Sequence, residues 1–598
     1  MGAAVRYTLC LHRPQAHLFR IRAECRKPAR DGQRFWLPVW LPGSYLVREF
    51  ARHIVRLRAW CGKREVPLRK VDTHTWQCGA LPPGEALCVE YEVYARDASV
   101  RGAWLDTDGA FFNGSSLFVA FAGFDTEACT LDIAPLPKGW RAREVCTTLP
   151  ARGKKPLRWR APDYETLIDH PFAIVDATRL AFRAGGVPHE LALWGRHDCD
   201  GERLTADLAR ICTWQQNLFG MPAPFARYLF LVRASGHDYG GLEHRDSTAL
   251  VTPRQDLPWK GMSGTPEGYV RFLGLCSHEY FHAWHVKRIR PAAFSPPDLH
   301  RENFTRLLWV FEGFTSYYDD LALLRAGVIE ETVWLKLFAK NLATILQTPG
   351  RLQQSVADAS FDAWIKYYRQ DENAPNAQVS YYTKGALMAA ALDLRLRAAS
   401  QGRVSLDELM RLLWREHGQS GRGLEEDEIY AHVAAVGETA ASGQGAALAR
   451  WLRTAVEGTQ DIDFNRLLAP FGLRLHWKTD ANAAPELGAR LSAAKGQGVR
   501  LVQVYTDGAA QCAGLAAEDV LIACDGLRLE NPAALETALA RAGAGAQCAL
   551  HYFRRDELRR TTLTVPEIVP RALEILPQPR ASAAQRKLRA GWLKRAQG

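Results

Sequence analysis

The chain has 598 residues, 47% of them apolar and 24% charged, an ordinary globular composition that excludes disorder on a large scale. A length well beyond what one core organises predicts three or four domains. The formal net charge is +11, but Arg580, Arg586, Lys587, Arg589, Lys594 and Arg595 form an acid-free run holding more than half of that excess. The balance therefore reads as a solvated basic tail and carries no expectation of a nucleic-acid or membrane partner.

Thirteen cysteines are scattered, with none between Cys276 and Cys512 and no CxxC pair. That pattern argues against a disulfide framework and a cysteine-ligated zinc site, and it fits a reducing compartment. The N-terminus reads straight into an alternating strand pattern without an apolar leader, and no run of eighteen apolar residues occurs. The expectation is a soluble, cytoplasmic protein.

Residues 1–180 carry the period-two signature of strands. Val55, Leu57 and Ala59 alternate with Arg56, Arg58 and Trp60, and Leu87, Val89, Tyr91 and Val93 with Cys88, Glu90, Glu92 and Tyr94. Turn signals such as Pro42-Gly43 and Pro82-Pro83-Gly84 separate these runs, so this stretch predicts a β-rich, sandwich-like N-terminal domain. From about residue 203 the period becomes helical. Thr265-Pro266-Glu267 opens a helix expected to run to Arg290, where Pro291 stops it. A second helix is expected over Thr305–Leu324, with Leu307, Leu308, Phe311, Phe314, Tyr318 and Leu321 on one face. Ser405-Leu406-Asp407-Glu408 is a capping box for a later helix. Residues 181–465 thus form a mostly helical domain. Short strands and glycine-rich turns return over 466–570, and 571–598 is the basic tail. The fold class is multidomain α+β.

The chemical signal is His278-Glu279-Tyr280-Phe281-His282. On a helix, positions i and i+4 stack on one face, so both imidazoles reach one ion. Zinc suits neutral imidazole and carboxylate ligands, and Glu279 lies beside the metal without having to ligate it, where a general base is needed. The histidines alone could be a polar helix face without an ion, but Phe272, Leu273, Leu275, Tyr280, Phe281 and Trp284 make that helix otherwise apolar. Glu312, within Leu308-Trp309-Val310-Phe311-Glu312-Gly313-Phe314, is the third ligand, because a carboxylate in an apolar helix is costly unless paired or metal-bound. A salt bridge to Lys287, Arg288 or Arg290 is the alternative. Three protein ligands leave a fourth position for water or substrate, the catalytic type of zinc site.

The run His278–Pro291 (HEYFHAWHVKRIRP), the run Asp298–Leu321 (DLHRENFTRLLWVFEGFTSYYDDL) and the stretch Leu41–Phe50 (LPGSYLVREF) resemble the glycyl aminopeptidases, PDZ-containing zinc peptidases of the gluzincin group. The resemblance covers nearly the whole chain. It implies a β-rich N-terminal domain, a thermolysin-like catalytic domain over 181–465 and a C-terminal PDZ domain over 466–570. It also implies one zinc ion per chain and removal of small N-terminal residues, glycine or alanine, from peptides. The family usually has asparagine where this chain has His285, which could approach the site or simply pack.

Tyr239-Gly240-Gly241-Leu242-Glu243-His244 resembles the GxMEN exopeptidase motif of related alanyl aminopeptidases. Gly240 and Gly241 would let backbone approach an extended substrate, and Glu243 would bind its α-ammonium group. The alternative is a glycine turn followed by a surface glutamate. Tyr381-Tyr382-Thr383-Lys384-Gly385 resembles the YxKG motif, which makes Tyr382 the oxyanion donor and Tyr381 the reserve. Gly508–Leu515, Asp519–Gly526 and the loop Glu486–Leu491 resemble a bacterial PDZ pattern, which could take a peptide C-terminus or only pack on the catalytic domain. The partners expected are peptides with a free N-terminus. The competing readings are a zinc endopeptidase and a PDZ scaffold with an inactive peptidase domain.

Overall fold

The alternation read near the N-terminus builds a seven-stranded sheet in the order Arg158–Ala161, Cys129–Ile133, Val5–Arg13, Leu18–Cys25, Leu87–Tyr94, Ile54–Cys61 and Arg64–Val66. These positions come from a computed structural model, which describes residues 3–140, 142, 144–151, 157–479, 484–494, 496 and 498–593. Tyr7, Leu9, Ile21, Ala23, Val89 and Tyr91 point inward and are buried. Two four-stranded sheets complete this domain; Phe19 meets Phe112 of one of them edge-on at 5.7 Å. One alternation begins later than the sequence suggests. A register shift between Ile54 and Arg56 leaves Val55 58% exposed, because the extra residue of a bulge bends out of the ladder.

The middle of the chain opens on a sheet, not a helix. Its order is Thr178–Ala184, Val187–Trp194, Tyr228–Ser235, Ser247–Pro253 and Gly240–Glu243. The reading of this region as mostly helical missed these strands. Tyr228-Leu229-Phe230-Leu231-Val232 and Ser247–Pro253 are buried throughout. A strand covered on both faces shows no alternation and cannot be told from a buried helix by periodicity.

The helices that follow pack on this sheet. Glu267–Phe281 is shorter than expected, because tertiary contacts unwind its end. Lys287 reaches Asp169 at 2.5 Å, the Arg288 guanidinium donates to the Arg245 and Ala283 carbonyls at 2.9 and 2.6 Å, and Val286 takes φ +113°. The next helix starts at Leu308 and runs to Arg325. It lies against Tyr381–Ser400 at Gly313 and Gly385, where a Cβ on Gly313 would fall 2.5 Å from the Gly385 Cα; only glycine permits so close an approach. The capping box at Ser405 and Glu408 forms as read.

Strand Leu473–Lys478 pairs antiparallel with Ala572–Pro577. Between these strands the chain makes a separate module, a small sheet with helix Pro532–Ala542 around a second core of Leu487, Val499, Leu501, Leu521, Leu535 and Leu550. The region read as a solvated basic tail is docked over much of its length. After Ala572–Pro577, helix Ala583–Trp592 buries Trp592 completely. The Trp592 indole donates to the Tyr317 hydroxyl at 2.9 Å, and the Arg325 guanidinium donates to the Trp592 carbonyl at 3.1 Å. One tryptophan buries enough apolar area to seat a helix, while Arg586 and Lys587 stay exposed on its outer face. Lys594 and Arg595 lie outside the described residues. Among the described residues, no helix is long and apolar enough to cross a membrane.

Candidate metal centre

His278 and His282 sit at the end of the helix Glu267–Phe281, His282 being its C-cap with αR backbone. The i, i+4 stacking survives the early helix end, and the two rings lie 4.6 Å apart at 88°. Glu312 projects from the facing helix, which is tied to the first by the Ser277 hydroxyl donating to the Asp319 carbonyl at 2.8 Å. One Glu312 oxygen, Oε2, lies 3.6 Å from His278 Nε2 and 3.3 Å from His282 Nε2. The salt bridge to a lysine or arginine, considered from sequence, does not form: Lys287 pairs with Asp169 and Arg290 with Glu165.

The donor set fits a metal. One atom from each of His278, His282 and Glu312 lies within 4.8 Å of the others. The second nitrogen of each ring is already held: His278 Nδ1 lies 3.0 Å from Asp319 Oδ2, and His282 Nδ1 lies 2.7 Å from the His285 carbonyl. Such contacts fix the tautomer that leaves Nε2 free to ligate. Burial alone would lower the His278 pKa, but the Asp319 and Glu312 carboxylates raise it well above the usual histidine range. Burial likewise pushes Glu312 up, and the two histidines more than reverse that, holding it far below the ordinary carboxylate value.

Around this triad lie the other residues singled out from sequence. Glu279 is buried, and its Oε2 has no hydrogen-bond partner. Burial and the nearby Glu243 charge push its carboxyl up to about 7, against the pull of His278, His282 and Arg101. Gly240 and Gly241 lie on the strand Gly240–Glu243 that passes beside it, and a Cβ on Gly241 would collide with the Glu279 carboxylate. Glu243 ends that strand. It is 4% exposed, not a surface glutamate, and its Oε1 is also without a partner. Gly43, at φ +96°, gives it room, because a Cβ there would collide with the Glu243 carboxylate.

Tyr382 lines the same cleft as His278, Glu279 and Glu312, with its ring 6.2 Å from that of His278. Burial and the Glu312 charge raise its pKa well above the usual phenol value, so it keeps its proton. Tyr381 does not line the cleft; it is fully buried behind two residues that do, packing on Tyr367 at 4.9 Å and stacking on Tyr382 at 4.8 Å. His285 is a core residue, packed on Phe311 at 4.9 Å. Burial drives its pKa down to about 3, so its ring stays neutral and its carbonyl serves the site.

Sequence reasoning missed Tyr45, whose hydroxyl donates to Glu312 Oε1 at 3.0 Å, and Asp319. Asp319 follows Glu312 by seven residues, two helical turns along the same face, and that spacing could have flagged it. It also missed Arg48 and Arg101, cleft residues from the N-terminal domain. Arg101 finds its partner, the Gly241 carbonyl, far away in the chain, and no chemical motif marks either residue.

The chain is similar to known proteins over most of its length. The model of the M61 glycyl aminopeptidase matches residues 271–388, and that of the peptidase M61 N-terminal domain matches residues 6–176. Among solved structures, an aminopeptidase N family protein from Idiomarina loihiensis is 36% identical, with a TM-score of 0.92 and 99% of this chain and 100% of that chain covered. An M1 zinc metallopeptidase from Deinococcus radiodurans is similar at 13% identity and a TM-score of 0.46, covering 77% of this chain and 94% of that one. No curated protein sequence matches.

Proposed function

The chain belongs to the M61 glycyl aminopeptidase family and is a zinc metallopeptidase, and from that premise we propose that it removes small N-terminal residues, glycine or alanine, from peptides. The observation that carries the exopeptidase reading is Glu243, a buried carboxylate with an unpartnered oxygen beside Glu279 in the cleft. A buried carboxylate without a partner is costly, and a substrate ammonium group supplies a charge-assisted one.

Zinc held by His278, His282 and Glu312 would supply Lewis acidity to the scissile carbonyl and to a water. Glu243 binds the amine and sets the cut one residue from the chain end. Glu279, buried beside the metal ligands with an oxygen free of hydrogen bonds among the described residues, takes the water's proton and returns it to the leaving amine. Tyr382, held protonated by burial, donates a hydrogen bond to the oxyanion. Gly240 and Gly241 let the substrate backbone lie along their strand.

The C-terminal module carries the PDZ-like role in this reading, with a groove between the strand Ala489–Ala494 and the helix Pro532–Ala542 open to a peptide C-terminus. The whole reading is tested with free and N-acetylated Gly- and Ala-peptides. Cleavage of the free peptides alone supports it; equal cleavage of both makes the enzyme an endopeptidase and removes the role of Glu243.

A further inference from the structure

The cleft holds two cations that form no ion pair among the described residues, although the Arg101 charge acts on the Glu279 carboxyl. Arg271 pairs with Asp256 at 2.6 Å and Lys340 with Glu267 at 3.4 Å. Arg48 and Arg101 line the same cleft, yet neither forms an ion pair with any described residue. Among the described residues, the Arg48 guanidinium donates only to the Ser44 hydroxyl, at 2.7 and 3.0 Å. Arg101 donates through Nη2 to the Gly241 carbonyl at 3.1 Å, and its buried Nε has no partner. The two lie close enough that the Arg101 charge, after burial, depresses the Arg48 pKa. Two like charges gathered in a cleft, one with an idle buried donor, are costly unless an anion joins them.

The position of Arg101 says which anion. Arg101 sits at the start of the strand Gly240–Glu243, with Nη1 3.6 Å from where a Cβ on Gly240 would stand. Glu243 marks the amine end of a substrate lying along that strand. At a rise of about 3.4 Å per residue, the strand separates its ends by roughly 10 Å, the reach of a two- or three-residue peptide.

We propose that Arg48 and Arg101 form a carboxylate subsite for short peptide substrates. It is filled by the C-terminal carboxylate of a dipeptide or tripeptide, or by an acidic side chain just beyond the cut. Arginine suits this, because its planar fork meets a carboxylate through paired hydrogen bonds. The inference rests on the aminopeptidase reading, since the amine at Glu243 sets the register.

The test compares Ala-Ala-Ala with its C-terminal amide, and Ala-Glu-amide with Ala-Gln-amide, on the zinc-loaded full chain and its Arg101→Gln and Arg48→Gln variants. A preference for the free acid of about ten-fold or more in kcat/KM, carried mainly by KM and erased by either substitution, assigns the C-terminal carboxylate. The same pattern in the second pair of peptides assigns the side chain. Equal rates within both pairs in the wild type overturn the proposal. So does an Arg101→Gln variant that slows acid and amide alike, for then Arg101 only braces Gly241. Calorimetric binding of Ala-Ala-Ala and its amide to Glu279→Gln, with and without Arg101→Gln, reads the same preference without turnover. A carboxylate preference there, beside equal cleavage of free and acetylated peptides, would leave the subsite standing and overturn only the aminopeptidase reading.

Discussion

The Tyr45 hydroxyl of the N-terminal domain donates a hydrogen bond to Oε1 of Glu312 at 3.0 Å, while the other oxygen of that carboxylate faces the two histidines. The N-terminal domain thus orients a group of the metal centre directly. Tyr45 is itself clamped, stacked on Phe294 at 5.7 Å and edge-on to Trp364 at 6.1 Å.

A Tyr45→Phe substitution keeps this packing and removes only the donor. Outer hydrogen-bond partners of metal ligands typically matter ten- to a hundred-fold in affinity. Zinc affinity, measured by competition with a chelator, is expected to fall by about that factor with the fold intact. Unchanged affinity would reduce Tyr45 to a packing residue.

Glu279→Gln removes the proposed base without disturbing His278, His282 or Glu312. The expected result is a loss of about two to four orders of magnitude in kcat with full zinc content by metal analysis. Retained activity would move the base elsewhere. Loss of zinc together with activity would mean the substitution had damaged the centre itself.

The helix crossing at Gly313 and Gly385 tolerates no side chain, since a Cβ at Gly385 would lie 2.7 Å from the Trp309 carbonyl. Overpacking of this type costs about 1–3 kcal/mol. Gly385→Ala is expected to lower stability by that amount in denaturant titration and to displace Tyr382, three residues earlier, with a matching fall in kcat. A variant as stable as the wild type would show that the helices can separate freely.

Acid stability should depend on Asp169. Burial pushes its carboxyl up, but the Lys287 ammonium 2.5 Å away reverses this and holds it well below the usual value. A depressed folded pKa means that the pair stabilises the fold above the unfolded value, near pH 4. That contribution is lost as the pH falls through the folded value. Asp169→Asn strands the Lys287 charge and is expected to cost about 3–5 kcal/mol near neutrality, with the gap to the wild type closing as the solution is acidified. A gap independent of pH would assign the cost to packing.

The candidate ligands were legible in the sequence because their arrangement is local. His278 and His282 are one helical turn apart, and Glu312 stands out as a charge among apolar neighbours. The strand of Glu243 and the proposed base Glu279 could be named for the same reason, from short motifs with fixed chemistry. The β-rich start of the chain also declared itself, since half-buried strands alternate. What the sequence hid depends on long-range contact. The inner strands of the central sheet lie buried on both faces and so lost their period. The helix after His282 unwinds because Lys287 and Arg288 find Asp169 and Arg245, far away in the chain. A basic C-terminal stretch docks because one residue, Trp592, packs among Trp334, Phe338 and Phe471 and bonds to Tyr317 and Arg325. Tyr45, Arg48 and Arg101 reach the cleft only because the N-terminal domain packs against it. Local spacing determined the chemistry of the site; burial and packing between distant segments decided which groups orient it and which charges it leaves unpaired.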